Sequence, residues 1–386
     1  MIRPEYSGGS LVNLVASLTE ACGGTPRHPP LSLLPVSALR GARAIVLVII
    51  DGLGDHFLRR HGAGSELERR RRGALTSVFP STTASAITTT YTGCTPREHG
   101  LTGWYTLFGE AACVAAPLPF HSRGDKLPLG ARGVRASDLY SAGSLLDGLA
   151  AQPIVVSHRS IIDSEYNRHH CGRAARRAYD DLEGFVRETE AAVKTPPHGR
   201  KFVYAYWPEF DTLSHRHGCE SAAVRSQFAA LDAAFGDLLG RLAGAECAVV
   251  ASADHGFLDS APAQSLELAD APGLTAWLRY PLCGERRVAF CHVQPDRVAE
   301  FVARATHWLG ERAQVRESRT LVDEGWFGPG AAHPRFAERV GDVTLMMNGC
   351  YTIKDWTCGE SRHLHLGNHG GASAEEMMIP LVVANT

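Results

Sequence analysis

Residues Ala44–Ile50, Ala-Ile-Val-Leu-Val-Ile-Ile, constrain the fold of this chain more than any other stretch. Seven consecutive apolar residues, five of them β-branched, leave no polar face. Such a run predicts a central parallel strand covered on both sides rather than a half-solvated antiparallel one. It is far too short to span a membrane. It ends at Asp51-Gly52-Leu53-Gly54-Asp55, so a carboxylate stands at the carboxyl end of a buried strand, where open α/β sheets keep their ligand sites.

The rest of the chain alternates in the way a parallel sheet requires. Short strands are expected at Ile154–Val156, Lys201–Tyr206, Cys247–Ser252 and Ile379–Val383, with a strand ending at Val78-Phe79. Helices are expected over Leu11–Glu20, from Asp55 through Arg72, from Thr83, over Arg173–Val193 up to Pro196-Pro197, and over Ala222–Leu242. The Arg69–Arg72 run reads as a solvated face. Residues Tyr105–Gly143 are rich in Gly and Pro and are expected to pass over the mouth of the site. Together these elements predict a doubly wound α/β sheet. Phe257–Gly349 has another texture, with strands expected at Ala276–Tyr280, Arg287–His292 and Asp342–Met347 and a helix over Pro295–Leu309. The expected division is therefore a catalytic α/β domain made of residues 1–256 and 350–386, and an inserted α+β subdomain at 257–349.

Composition excludes several function classes. A net charge of −2 offers no general attraction to nucleic acid or to an anionic membrane surface. Ten cysteines are scattered with no Cys-x-x-Cys pair, and Met1–Ser10 has no charged-then-apolar signal pattern. These features predict reduced thiols and a cytoplasmic protein.

Candidate chemistry gathers at the expected strand ends. After Pro80, Ser81 and Thr82 are good helix caps, and Thr83 puts a hydroxyl in the first turn, near unpaired amides that suit an anion such as phosphate. Asp211 and His215 are four apart, one helical turn on one face. Asp254 and His255 are adjacent at the end of Cys247–Ser252, and His369 lies in a Gly-rich loop. Carboxylate with imidazole suits zinc or manganese. With 18 histidines in the chain, isolated ones carry little weight; His169, His170, His363 and His365 read as surface or loop residues.

In order, this set resembles the alkaline phosphatase superfamily, and within it the type I phosphodiesterase / nucleotide pyrophosphatase branch. The matching residues are Asp51-Gly, Phe79-Pro-Ser-Thr-Thr83, Gly93-Cys-Thr-Pro-Arg-Glu-His99-Gly100, Asp211-Thr-Leu-Ser-His215-x-x-Gly218, Ala253-Asp254-His255-Gly256 and Asn368-His369-Gly370. The resemblance spans roughly Ala44–Gly256 and His365–Leu381, and the insertion carries none of it. It implies an alkaline-phosphatase-like, largely parallel sheet flanked by helices. It also implies two divalent metal ions, zinc or possibly manganese, one held by Asp211, His215 and His369 and the other by Asp51, Asp254, His255 and Thr83. Thr83 would attack phosphorus, and water on the other ion would hydrolyse the resulting ester. The implied substrate is a small-molecule phosphate ester, a phosphodiester or nucleotide pyrophosphate, with no nucleic acid polymer and no membrane as partner.

Two positions depart from the branch. Trp104 stands where animal nucleotide pyrophosphatases have a phosphate-binding Asn, and so becomes the candidate substrate-binding residue. Ala84 replaces a Phe that helps hold the base, so a nucleotide preference does not carry over. Trp104, Tyr105 and Trp207 can be read either as an apolar leaving-group pocket or as core. Cys94-Thr-Pro-Arg97 only superficially resembles a sulfatase signature, and a threonine nucleophile disfavours the Ser-centred mutases. A phosphomonoesterase or phosphonate hydrolase on the same site is the near alternative, and a non-catalytic binding protein that kept the fold is the distant one.

Overall fold

The computed structural model describes residues 1–196, 199–360 and 362–386. Ala44–Ile50 is a strand with every residue buried, so both sheet faces are covered. Each such aliphatic side chain contributes roughly 1.5–3 kcal/mol relative to exposure. Lys201–Trp207 and Cys247–Ser252 pair with it in parallel on either side. The sheet has seven strands, in the order Arg71–Thr76, Met378–Asn385, Cys247–Ser252, Ala44–Ile50, Lys201–Trp207, Gln152–His158, Ala175–Tyr179. Met378–Asn385 alone runs against its neighbours. This is a mixed α/β fold with a mostly parallel sheet flanked by helices.

Both edge strands differ from the sequence reading. No single helix runs from Asp55 to Arg72: helices Asp55–His61 and Glu66–Arg69 are separated by Gly62, and Arg71–Thr76 is a strand. The Arg69–Arg72 run is not simply solvated, because Arg71 grips buried Asp55 through both carboxylate oxygens (2.5 and 2.9 Å). Likewise Arg173–Val193 divides into strand Ala175–Tyr179 and helix Leu182–Lys194. The Asp181 side chain accepts the Gly184 amide at 2.7 Å and so starts the helix there. That helix ends at Lys194, and Pro197 lies outside the described residues. Val78 and Phe79 follow the strand that ends at Thr76.

Tyr105–Gly143 contains three short antiparallel strands, Thr106–Phe108, Cys113–Ala116 and His121–Ser122. The later segment builds a separate sheet ordered Cys283–Gly284, Val288–Cys291, Val343–Met347, Ala313–Glu317, with helix Val298–Leu309. Phe301, Ala305, Leu309, Val343 and Leu345 form its own apolar cluster. Ala276–Tyr280 is not a strand; only Leu278 makes a bridge, to Val293. A second apolar cluster joins Phe290 and Met346 to Phe79, Leu107 and Met377. The backbones of Gly103 and Gly284 meet so closely that a Cβ at Gly103 would lie 2.4 Å from the Gly284 Cα.

Candidate metal centre and active-site cavity

Strand register brings the acidic residues together. Ile50 lies opposite Trp207 and Ile49 opposite Ser252, so three adjacent strands end level. Asp51 follows the first, helix Glu209–His217 with Asp211 and His215 follows the second, and Asp254-His255 follow the third. Gly52 turns the chain with φ +78°, and its amide donates to Asp254 Oδ1 at 3.0 Å. A Cβ there would sit 2.5 Å from the Phe257 ring. His369 arrives from far along the chain because Leu258–Asp259 pairs antiparallel with Gly367–Asn368.

The six groups converge. His255 Nε2 is 3.4 Å from Asp51 Oδ1, 3.4 Å from Asp254 Oδ2 and 3.2 Å from Thr83 Oγ1. Asp211 Oδ1 is 3.5 Å from His215 Nε2 and 3.8 Å from His369 Nε2, and these two nitrogens are 3.2 Å apart. Two sets of potential ligand atoms lie within 4.8 Å of one another: Asp51, Asp254 and His255, and Asp211, His255 and His369. His255 thus stands between the halves, its ring stacked on His369 at 3.8 Å.

The donor chemistry fits metal ions. Each histidine places Nδ1 against a backbone carbonyl: His215 on Gly367 (2.9 Å), His255 on Gly256 (3.1 Å), His369 on Ser81 (3.2 Å). Donation there leaves each Nε2 as a lone pair aimed at the acids. Asp51 Oδ1, Asp211 Oδ1 and Asp254 Oδ2 are buried with no hydrogen-bond partner. Burial, then repulsion from Asp254, pushes the Asp51 and Asp211 carboxyls well above the usual range. Burial brings His215 down to about 3 and His369 well below its ordinary value. Carboxyls that resist ionising beside imidazoles that resist protonation describe a site whose buried negative charges lack a compensating positive one, which a divalent cation provides.

Thr83 begins helix Thr83–Thr92, every residue of which is buried. Thr82 does not cap that helix with its side chain; its hydroxyl donates instead to Glu285 Oε1 at 2.5 Å. First-turn amides are thereby left beside the Thr83 hydroxyl. The Trp104 amide also donates to Glu285 Oε1, at 2.7 Å. Thr83, Trp104, Asp211, His215 and His369 line one cavity of about 340 Å³, together with Tyr105, Arg123, Glu285, Arg286 and Lys354.

Sequence reasoning missed several of these residues. The Tyr206 hydroxyl donates to Asp51 Oδ2, yet Tyr206 looks like any strand aromatic. Glu285 and Arg286 lie on the insertion, outside any ordered motif. Trp207 does not line this cavity: it is buried and stacked on Tyr179 at 5.5 Å. Nor is His170 a surface residue; it is fully buried beside Tyr166 because helix Glu165–His170 turns it inward. His365 does lie in a loop, but its ring is 4.4 Å from that of His215 and it lines the cavity.

Acids, imidazoles and a helix-borne hydroxyl gathered at the carboxyl ends of three central parallel strands define a hydrolase of phosphate esters with candidate metal-ligand groups. The family model described as type I phosphodiesterase / nucleotide pyrophosphatase matches residues 45–372, and the chain belongs to that family. The family lies in the alkaline phosphatase superfamily. No curated protein matches the chain. Among solved structures it is similar to murine ectonucleotide pyrophosphatase / phosphodiesterase 5 as an inactive threonine-to-alanine variant in complex with AMP (17% identity, 87% of each chain, TM-score 0.65). It is also similar to the human ectonucleotide pyrophosphatase / phosphodiesterase 5 (16%, 88% of this chain and 87% of that one, 0.64). A third is phosphonoacetate hydrolase from Sinorhizobium meliloti 1021 in complex with phosphonoformate (17%, 89% and 90%, 0.62). Among the described residues no helix is long and apolar enough to cross a membrane.

Proposed function

We propose that this protein hydrolyses phosphodiester or nucleotide pyrophosphate bonds with Thr83 as its nucleophile at a two-metal centre. The observation that carries this is the Thr83 hydroxyl at a helix start, 3.2 Å from His255 Nε2 and beside carboxylate oxygens that lack partners. Asp211, His215 and His369 would hold one divalent ion, and Asp51, Asp254, His255 and Thr83 the other; zinc or manganese suits these ligands. When bound, such ions acidify the threonine hydroxyl and neutralise phosphoryl charge.

The chain's own residues supply the rest. Amides of the first turn of Thr83–Thr92 face the phosphoryl oxygens. Thr83 Oγ1 forms a bond to phosphorus as the bond to the leaving oxygen breaks, and water then cleaves the Thr83 ester and restores the hydroxyl. All ten cysteines are unpaired, which fits a reducing compartment, and we take the cytoplasm as the location. Phosphomonoester or phosphonate hydrolysis at the same residues is the second reading, favoured by the structural similarity to phosphonoacetate hydrolase.

Turnover of bis(4-nitrophenyl) phosphate and 4-nitrophenyl phosphate, with zinc or manganese added, tests both readings. The diester is expected to be cleaved faster, and Thr83→Ala to abolish cleavage while keeping its metal. Activity retained in Thr83→Ala overturns the nucleophile assignment, and faster monoester cleavage selects the second reading.

A further inference from the structure

Part of the lining of the cavity beside Thr83 is acids and imidazoles; a basic wall of Arg123, Lys126, Arg286 and Lys354 also lines it, together with Tyr105 and Glu285. Three carboxylates, Glu285, Asp355 and Glu360, lie near Arg123, Arg286 and Lys354. Glu285 Oε1 accepts from the Thr82 hydroxyl and the Trp104 amide, and Arg123 takes the other two: Nη2 donates to Asp355 at 2.7 Å, and Nε and Nη2 donate to Glu360 at 2.9 and 3.0 Å. Lys354 Nζ is left 3.7 Å from Glu360. Arg286 makes no ion pair among the described residues; its guanidinium donates to the ring nitrogen and carbonyl of His363, both at 3.3 Å.

Within this basic wall, Arg286 and Lys354 therefore have no carboxylate oxygen at hydrogen-bond distance among the described residues. Burial, then repulsion from Arg123, brings the Lys354 ammonium down to about 8. The faces of two nearby rings, Tyr105 and Trp356, are already used. The Tyr105 ring lies 4.6 Å from the Arg123 guanidinium and 5.0 Å from Lys354 Nζ, and the Trp356 ring lies 5.2 Å from Lys354 and 5.8 Å from Arg286. Rings that hold cations offer little to a neutral stacked base.

We infer that Arg286 and Lys354 recognise a second anionic group on the substrate, a carboxylate or phosphate borne by the organic part of the phosphorus compound. The enzyme thus selects phosphate esters or phosphonates with an acidic tail over those with a neutral one. This rests on the reading of the Thr83 centre as a phosphoryl hydrolase. A charge-assisted hydrogen bond from Arg286 and an ion pair from Lys354, both in a partly desolvated site, give the preference its strength.

Calorimetry on the metal-loaded protein tests this with non-hydrolysable probes: propylphosphonate, 3-phosphonopropionate and propane-1,3-bisphosphonate. At least one acidic-tailed probe is expected to bind about tenfold or more tighter than propylphosphonate, as hydrogen bonds to charged groups allow. The tighter of the two identifies the tail. Arg286→Gln and Lys354→Gln should each bring that ratio toward one, and Arg286→Glu should shift preference toward 3-aminopropylphosphonate. Equal affinities of all three probes in the wild-type protein overturn the inference, as does an unchanged ratio in both neutral variants. Turnover of methyl 4-nitrophenyl phosphate is measured alongside. Turnover with equal affinities removes the anion site and keeps the hydrolase; tail preference without turnover of any aryl phosphate does the reverse.

Discussion

Arg287→Met should destabilise the protein severely, and the structure sets the size of the effect. The Arg287 side chain is 1% exposed and that of Glu376 0%. Nε and Nη2 donate to the two Glu376 oxygens at 3.1 and 3.0 Å, and Glu376 Oε1 also accepts the Gly371 amide at 2.7 Å. Removing the guanidinium leaves a buried carboxylate with too few partners, a loss of about 3–5 kcal/mol. That is a large part of a total stability of roughly 5–15 kcal/mol. The pair also ties the strand that starts at Val288 to the Gly370-Gly371 loop, so metal affinity at His369 should fall with stability. Urea unfolding followed by tryptophan fluorescence gives the first number and titration with zinc the second. In Arg287→Met/Glu376→Leu, where both charges are gone, much of the loss should return, giving a coupling above about 2 kcal/mol. A single variant within about 1 kcal/mol of wild type, as for an exposed pair, would refute the reasoning.

Three further outcomes follow from particular contacts. Gly52→Ala has to meet both a φ of +78° and a 2.5 Å approach to Phe257, so thermal unfolding should show a loss above about 1 kcal/mol together with weakened metal binding. Tyr206→Phe removes the hydroxyl that donates to Asp51 Oδ2; metal titration should show about 10–100-fold weaker affinity with little change in fold. Burial holds His170 down to about 3, so below its unfolded value near 6.5 the unfolded chain binds a proton that the folded one does not. Stability should therefore fall as pH drops from about 6.5 toward 3, with this group adding up to roughly 1.4 kcal/mol per pH unit, and His170→Asn should flatten that slope in urea titrations.

Legibility in the sequence followed physical redundancy. Ala44–Ile50, Lys201–Trp207 and Cys247–Ser252 are mostly apolar and buried on both faces, and that pattern has few meanings. Their level ends then put Asp51, Asp211 and Asp254 together, so a reading of strands was also a reading of the acid cluster. Edge strands were hidden because Arg71–Thr76 and Ala175–Tyr179 are half-solvated, Arg-rich and short. Their pairing energy comes from neighbours distant in sequence, which no local window contains. The basic wall was hidden for a related reason. Arg123, Arg286 and Lys354 come from three separate segments with no spacing rule between them, and only tertiary packing shows which of them lack a carboxylate. Tyr206 was hidden by its own chemistry, since a tyrosine in a buried strand reads as packing until its hydroxyl is seen on Asp51.

Elemental analysis of the purified chain, kept free of chelator and dialysed against zinc or manganese, tests the central claim most directly. Two divalent ions per chain are predicted, falling to about one or fewer in His369→Ala and in Asp51→Asn. A wild-type protein that retains no divalent ion, while remaining folded, would contradict the account.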